Sequence, residues 1–263
     1  MDNSTKSFYV LGTRIDAVQM PEVLEKMSEW ITSRKYGHYI VLSNAFDVIS
    51  SKNDVKVRMA ANDSALSVPD GISLVWLSRL EGYDLKKRVY GPDLLTECLK
   101  ASQAEGYSHF FYGSAQKTLS LMVENLKARF PYLKVAGSFA PPFRVLTQEE
   151  DEKIIEMINK ASPDIVWVGL GCPKQQLWMH EHKDKLNVPV MAGVGAAFDF
   201  FAKTKPQAPR WMRDNGFEWL FRLITEPRRL WKRYLIHGSS FVYYVLRERT
   251  ILWLCKGRSK NHV

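Results

Sequence analysis

The chain has 263 residues, enough for one large α/β domain with an appendage and too few for three ordinary domains. Hydrophobic residues make up 46% and charged residues 25%, a balance that excludes an intrinsically disordered protein. The formal net charge is +9, so we expect the protein to have an anionic partner.

Short β-branched or aromatic runs alternate with longer helical patterns over the first 200 or so residues. Strands are predicted at Phe8–Leu11, Tyr39–Leu42, Ala65–Val68, His109–Tyr112, Lys134–Gly137, Ile165–Gly169 and Val188–Gly193. Helices are predicted at Pro21–Arg34, Ala45–Ala60, Leu94–Ala104, Ala115–Arg129, Thr147–Lys160 and Lys174–Leu186. This alternation predicts a Rossmann-like α/β fold, a parallel sheet with helices on both faces.

Polar and glycine-rich clusters follow several of the predicted strands. They are Ser43-Asn44, Pro69-Asp70-Gly71, Gly113-Ser114, Gly169 to Gln176 and Gly193-Val194-Gly195. The carboxyl ends of parallel strands lie at one edge of the sheet, where binding sites of such folds are found. The sequence therefore predicts one site assembled from distant loops.

Asp70 lies between a proline and a glycine in SVPDG, directly after a buried strand. A carboxylate held there could act as a general base that takes a proton from an acceptor hydroxyl. Pro-Asp-Gly is also ordinary turn chemistry, in which the aspartate bonds its own backbone. Both interpretations remain open from the sequence.

The segment VGLGCPKQQLW, residues 168–178, places Gly171, Lys174 and Gln175 between a strand and a helix. Exposed N–H groups at the helix start could hold a phosphate or a sugar hydroxyl, and Gln175 could both donate and accept. A tight turn between strand and helix explains the same residues.

The acidic residues do not form a predicted metal site. The run from Glu149 to Glu152 fits the first turn of a helix. Asp199 in GVGAAFDF could be a site carboxylate or a helix cap, and the cap is favoured. The chain contains no Asp-x-Asp motif, and its three cysteines are far apart. We therefore expect no metal and no cofactor, so that protein cations would stabilise any departing diphosphate.

The positive charge is concentrated at the end of the chain. From Lys205 onward there are 13 Lys/Arg against four acids, whereas residues 1–204 are neutral. We therefore predict a catalytic domain at 1–204 and a basic, aromatic-rich helical appendage at 205–263. Its longest uncharged run, His237–Leu246, is about half of the roughly 20 residues that a membrane-spanning helix needs. Basic residues mixed with Trp, Tyr and Leu predict a helix at the surface of an anionic membrane.

Four arginines of the appendage, Arg222, Arg228, Arg229 and Arg233, are spaced so that some share a helical face. Guanidinium groups bind diphosphate oxygens in pairs and keep their charge. Alternatively, they form a solvated basic face that meets lipid headgroups, and different arginines can have different roles. The N-terminus shows no signal peptide, so we expect the protein in the cytoplasm, peripheral on the inner face of the cell membrane.

Six motifs in order, SNAFDV, SVPDGISLVW, RVYGPDLL, VGLGCPKQQLW, GVGAAFDF and APRWMRDNGFEWLFRLITEPRRLWKRY, resemble the WecG/TagA/CpsF family, glycosyltransferase family 26. The resemblance runs from about Phe8 to Tyr234. It implies an inverting, metal-independent transfer of a sugar from a UDP-sugar to a polyprenyl-diphosphate-linked sugar in cell-surface polysaccharide synthesis. The donor would be UDP-N-acetylmannosamine, its uronic acid or UDP-glucose.

The resemblance also implies roles for individual residues. The family's base falls on Asp70, its substrate-binding residues on Asn44, Arg88 and Gln175, and its diphosphate-binding arginines on Arg222, Arg228 and Arg229. Three positions depart from the family pattern. Gln176 replaces a glutamate, which removes a charge near the sugar pocket and leaves the donor open, and Lys203 and Gln207 change the junction with the appendage.

Two other classes of protein fit the sequence less well than a glycosyltransferase. A Rossmann-type oxidoreductase needs an early GxGxxG with an acid about 20 residues later, and the chain has neither. A non-enzymatic membrane- or nucleic-acid-binding module would account for the basic tail but not for a neutral α/β domain that carries Asp70. We therefore expect no nucleic-acid partner, and a homo-oligomer is compatible with the sequence.

Overall fold

The computed structural model describes the backbone of residues 5–259 and the side chains of residues 5–251. The outer ends of the two predicted segments, residues 1–4 and 260–263, therefore lie outside the described residues. The described strands are β1 Ser7–Val10, β2 Thr13–Asp16, β3 His38–Ser43, β4 Leu66–Pro69, β5 Ser108–Gly113, β6 Lys134–Phe139, β7 Ile165–Gly169 and β8 Val190–Gly193.

The described α-helices are α1 Met20–Thr32, α2 Ala45–Asn53, α3 Val55–Asn62, α4 Ile72–Leu80, α5 Gly91–Glu105, α6 Gln116–Arg129, α7 Gln148–Ala161, α8 Lys174–His182, α9 Ala197–Phe201, α10 Arg210–Asp214, α11 Glu218–Thr225, α12 Pro227–Trp231 and α13 Gly238–Ser259. A π-helical segment, Lys232–His237, joins α12 to α13.

All seven predicted strands are present within two residues of their expected ends, and the predicted helices form with one interruption. The segment predicted as one helix at Ala45–Ala60 is two helices. Asp54 has an extended backbone there, and its carboxylate accepts the N–H groups of Lys56 and Val57, which starts α3. Strand β2 and helix α4 were not predicted, because half of β2 is charged and α4 is too uniformly apolar to show a clear period.

The parallel sheet has six strands in the order β4-β3-β8-β7-β5-β6. The chain builds one side with β3 and β4 and the other with β5 and β6, and β7 and β8 fill the centre. The first predicted strand, Phe8–Leu11, does not join this sheet. It corresponds to β1, which pairs antiparallel with β2 in a separate hairpin.

Helices cover both faces of the sheet, as the Rossmann-like prediction required. Alternate residues of β7 divide between two cores: Ile165 and Trp167 pack with α1, α5 and α6, and Val166 and Val168 pack with α7 and α8. All four side chains are fully buried. The central strands are apolar on both faces, so both faces must be shielded from water. Helices on each side of the sheet do this here.

The β1–β2 hairpin lies beside β4, the edge strand of the parallel sheet. The carboxylate of Asp16 accepts the backbone N–H of Ser67 in β4 at 2.7 Å. Arg14 ties the same hairpin to the main-chain oxygen of Asn62 at 2.7 Å and contacts Asp16 at 3.3 Å. These bonds attach the hairpin to the edge of the sheet.

The C-terminal helices pack back onto the α/β domain. Phe241 and Val245 of α13 are buried in a third apolar cluster with the hairpin, α2 and α4. Arg249 pairs with Glu81 at 2.8 Å at the end of this contact. The predicted C-terminal helical appendage is therefore present. None of the helices in the described part of the chain is long and apolar enough to cross a membrane.

Candidate active site

A cavity of about 380 Å³ opens at the carboxyl ends of the parallel strands. Gly169, which ends β7, and Gly193, which ends β8, form part of its wall. The loops that follow β3 and β4 and the helices of the appendage complete it. Among the predicted site residues, the cavity brings together Asn44, Asp70, Gly171, Gln175, Arg222 and Arg229.

Asp70 lies on a turn that the neighbouring loop holds in place. The N–H groups of Asp70 and Gly71 both donate to the oxygen of Ser43, at 2.8 and 3.1 Å. A Cβ atom on Gly71 would come within 3.0 Å of the Asn44 Cβ, so glycine allows the two loops to pack closely. The Asp70 carboxylate accepts the N–H of Gly91 at 3.3 Å, a bond across to the next loop. Turn chemistry alone therefore does not account for this side chain.

The surroundings of Asp70 change its acidity. Burial raises the pKa of Asp70 to about 7; the Arg88 guanidinium opposes this rise, and the carboxylates of Glu218 and Asp47 add to it. Asp70 itself lines the cavity. A carboxylate that titrates near neutral pH and faces a cavity has the properties of a general base.

Asn44 combines a structural bond with a position on the cavity wall. Its side-chain oxygen caps α2 by accepting the N–H groups of Phe46 at 3.0 Å and Asp47 at 3.4 Å. Its amide nitrogen is left as the group that can donate to a ligand. The adjacent Asp47 is buried and accepts from Gln176 at 2.8 Å and from the thiol of Cys172, and burial raises the pKa of Asp47.

The turn after β7 is tight and also leaves an acceptor for a ligand. Gly171 has φ +79°, a left-handed conformation that favours glycine, and its oxygen accepts the N–H of Gln175 at 2.9 Å. Gln175 is buried and donates to the oxygen of Gly193 at 2.9 Å. Its own Oε1 is buried with no partner among the described residues. A buried acceptor of this kind is costly unless a ligand donates to it.

Four cations of the appendage line the cavity: Lys205, Arg222, Arg229 and Arg233. Lys205 is paired with Asp199 at 2.8 Å, and Arg229 with Glu226 at 2.6 Å. Arg222 and Arg233 differ, because the Nε atom of each is buried without a hydrogen-bond partner in the described part of the chain. These two guanidinium groups have donors to spare for an anion.

Three predicted substrate-binding residues lie outside the cavity lining. Arg88 is behind the Asp70 turn and donates to the Asp70 main-chain oxygen at 3.2 Å. Lys174 is exposed at the start of α8, and Arg228 is exposed on α12. Their substrate-binding roles stay predictions.

One sequence interpretation is wrong. Asp199 does not cap a helix, because α9 begins two residues earlier with Ala196 as its N-cap. Its carboxylate instead pairs with Lys205 at the cavity. Gln176, predicted to lie near the sugar pocket, is buried next to the cavity, where it donates to the lining residue Asp47. The acidic run from Glu149 does lie on the first turn of α7, as expected.

Sequence reasoning did not single out Asp47, Tyr90, Lys205 and Glu218 as site residues, although all four line the cavity. Asp47 carried a usable signal, because an asparagine followed three residues later by an acid is a capping-box pattern. Glu218 carried no local signal. Across the described part of the chain, no three His, Cys, Asp or Glu side chains gather in a way that could hold a metal ion.

The carboxyl ends of a Rossmann-like sheet thus place Asp70, with its raised pKa, and several arginines around one cavity, an arrangement that suits catalysis on an anionic substrate. The chain belongs to the WecG/TagA/CpsF family of glycosyl transferases, whose family model matches residues 8–253. It is therefore a glycosyltransferase, and the predicted family is confirmed.

Three similar proteins carry the name N-acetylglucosaminyldiphosphoundecaprenol N-acetyl-beta-D-mannosaminyltransferase. The one from Bacillus subtilis is 32% identical over 203 residues, 77% of this chain and 72% of the relative. The one from Bacillus spizizenii is 29% identical over 81% of this chain and 80% of the relative. The one from Staphylococcus aureus is 27% identical over 88% of both.

Proposed function

We propose that this glycosyltransferase moves a sugar from a UDP-sugar to a hydroxyl of a polyprenyl-diphosphate-linked sugar, with inversion and without a metal. Asp70 takes the proton of the acceptor hydroxyl while that oxygen forms a bond to the anomeric carbon. The bond from this carbon to the diphosphate breaks, and its electron pair leaves with UDP. One displacement inverts the anomeric configuration.

The observation that carries this proposal is the meeting of Asp70 and the appendage cations in one cavity. With a pKa of about 7, Asp70 is ionised in much of the protein at neutral pH yet basic enough to accept a proton. The unpartnered Nε atoms of Arg222 and Arg233 are donors for the charge that grows on the departing diphosphate.

The relatives' names support a donor and an acceptor for this chain. We propose an N-acetylmannosamine-type donor, with a glucose-type donor as the second candidate, and an acceptor that carries N-acetylglucosamine on undecaprenyl diphosphate. Gln176 weighs little in this choice, because it lies behind the cavity wall. The unpaired oxygen of Gln175 is a candidate acceptor for a hydroxyl or amide N–H of the donor sugar.

We also propose that the appendage holds the enzyme against the inner face of the cell membrane. Its outer surface exposes Trp219, Ile224, Trp231, Leu235 and Ile236. Exposed basic residues, Arg228 and Lys232, lie among them in the chain. Aromatic and aliphatic side chains interspersed with cations favour the interface of an anionic bilayer, where the lipid-linked acceptor is found.

The test is a panel of UDP-sugars, with UDP-N-acetylmannosamine and UDP-glucose included, offered with a short-chain prenyl-diphosphate-N-acetylglucosamine. We expect UDP release and a new disaccharide from one donor, little release without acceptor, and undiminished turnover in EDTA. The anomeric configuration of the product is read by NMR. Transfer that stops in EDTA and returns with Mg²⁺ would show that arginines do not replace a metal. Absence of transfer from every donor would refute the proposed reaction.

A further inference from the structure

Helix α11 of the appendage is buried in an unusual way. Among its described residues only Glu218 is buried, with 8% of its surface exposed. Its apolar residues Trp219, Leu220 and Ile224 are 43%, 37% and 69% exposed. An amphipathic helix normally buries the opposite set, because a buried carboxylate is costly unless it is paired. Helix α11 therefore places a charged side chain at the most buried point of its contact with the catalytic domain, beside the half-buried Phe221 and Leu223.

Both oxygens of Glu218 are used. One accepts from Arg88 Nη2 at 2.5 Å, and the other accepts from the hydroxyl of Tyr90 at 3.0 Å. The second Nη of Arg88 donates to the main-chain oxygen of Asp70 at 3.2 Å. Arg88 also lies 4.2 Å from the Tyr90 ring centroid. A continuous path of charged contacts thus runs from the appendage through Arg88 to the turn that carries the base.

Gln207 strengthens the same contact from the junction with the appendage. Its amide donates to the Tyr90 hydroxyl at 3.3 Å. Arg213 of α10 lies over the same ring, 5.5 Å from its centroid. The residues just before Gly91, Arg88 and Tyr90, are therefore contacted by three appendage residues: Glu218, Gln207 and Arg213.

Electrostatics link Glu218 to Asp70 as well. The charged groups with the largest effect on Asp70 are Arg88 from the loop after α4, Asp47 from α2 and Glu218 from α11, and the N–H of Gly91 bonds it directly. Tyr90 also interacts with Asp70, and the same cavity is lined by Asp199, Lys205, Arg222, Arg229 and Arg233. Burial is the largest cause of the raised pKa of Asp70, and Glu218 contributes to the rise. Burial alone would lower the pKa of Arg88, but Asp70 and Glu218 together hold it above its usual value.

We propose that Glu218 is a positioning residue that couples the seating of the appendage to the alignment of the base. When α11 is docked, Glu218 fixes Arg88, and Arg88 fixes the Asp70 turn. When α11 lifts away, Arg88 loses this partner and is free to turn toward the Asp70 carboxylate, which would neutralise the base. The inference rests on the proposed role of Asp70.

Glu218→Gln separates this role from a purely structural one, because glutamine keeps the shape and loses the charge. We expect the plateau of kcat with a water-soluble acceptor to fall about tenfold or more, since Arg88 is no longer held. We also expect the rising limb of kcat/KM against pH to move down by about one unit, because the removed carboxylate no longer opposes ionisation of Asp70.

The control is Asp214→Asn, which removes an exposed carboxylate from the neighbouring helix α10. Asp214→Asn should leave both the rising limb of kcat/KM against pH and the plateau of kcat as in the wild type. Glu218→Asp, which keeps the charge but cannot reach both partners, should lower the plateau and leave the limb closer to the wild-type position. Thermal unfolding by circular dichroism checks that each variant is folded.

The Glu218→Gln variant could be folded and less active while its pH dependence of kcat/KM stays as in the wild type. Glu218 would then only stabilise the fold, and the proposal would be overturned. If Glu218→Gln does not fold, wild-type turnover by Glu218→Asp would overturn it equally. These outcomes differ from failure of the proposed reaction, in which the wild-type protein itself transfers no sugar.

Discussion

The α/β domain and helix α11 of the appendage bury opposite kinds of side chain. The sheet buries apolar residues on both faces, and Trp167 at its centre is completely enclosed. Helix α11 encloses Glu218 and leaves Trp219 and Ile224 in contact with solvent. The first region has the composition of a self-sufficient core. The second has a charged inner side and an apolar outer side.

The two regions therefore contribute different things to the site. The α/β domain supplies a rigid frame whose loops hold Asp70 and Gln175. The appendage supplies cations to the cavity from its inner side and presents an apolar surface outward. A site closed by charged contacts is easier to open than one closed by an apolar core, because water competes well for exposed ion pairs. Substitutions in the α/β domain, on the inner side of the appendage and on its outer side should therefore have different effects.

Replacing Asp70, the proposed base on the α/β domain, should have the largest effect. Asp70→Asn should reduce transfer by roughly 10²–10⁴-fold, because the amide cannot accept the proton. Asp84→Asn, at an exposed carboxylate nearby in the chain, is the matched control and should keep wild-type turnover. A purified Asp70→Asn protein with more than about a tenth of wild-type turnover would remove Asp70 from this role.

The same variant should be no less stable than the wild type. Because the folded-state pKa of Asp70 is raised to about 7, the folded protein binds this proton more tightly than the unfolded chain. Ionisation of Asp70 therefore costs stability as pH rises from about 4 to 7, and the whole cost is present above 7. Asp70→Asn should raise Tm relative to the wild type at pH 8, and this gain should shrink toward pH 4.

Removing a cation from the inner side of the appendage should have the next largest effect. Arg222→Ala should lower kcat by about 10–100-fold, since Arg222 lines the cavity with an unused donor. Arg210→Ala removes an exposed arginine of the same appendage and should change kcat less than about twofold. Arg228→Ala, measured beside them with a soluble acceptor, decides whether that exposed arginine acts on the diphosphate. Equal effects of Arg222→Ala and Arg210→Ala would contradict a diphosphate site here.

Changing the outer side should have the smallest effect on chemistry. Ile224→Ser combined with Trp231→Ser should weaken sedimentation with anionic vesicles about tenfold, because apolar area is removed from the proposed interface. Turnover of a water-soluble acceptor should stay within about twofold. Tyr132→Ser, at an exposed aromatic residue of the α/β domain, is the control and should bind vesicles normally. Unchanged binding by the double variant would place membrane contact elsewhere.

The sequence predicted the parts of the molecule that depend on local pattern. The strands were found because buried parallel strands are short apolar runs between helical segments, and the positions of Asn44, Asp70 and Gln175 followed from the rule that loops after strands meet at one edge. Family resemblance then supplied the reaction class. Roles of the individual residues stay predictions.

What escaped prediction depends on contacts between distant segments. In the sequence, Glu218 is one of several acids in a basic segment. Its hydrogen bonds to Arg88, 130 residues earlier, and to Tyr90 distinguish it in the structure. Lys205 and Asp199 form a pair that a cap interpretation could not foresee. Arg88 was predicted to bind substrate, but its observed bonds go to the Asp70 turn and Glu218.

The β1–β2 hairpin has a consequence for how the protein behaves in a crowded cell. An edge strand of a sheet exposes backbone groups that can recruit a strand from another molecule. Asp16 occupies the outward N–H of Ser67, so one of these groups in β4 is already bonded by a side chain. The hairpin thus covers part of the exposed edge of the sheet. Loss of Asp16 would leave this N–H without its partner and make β4 more open to pairing with a strand of another molecule.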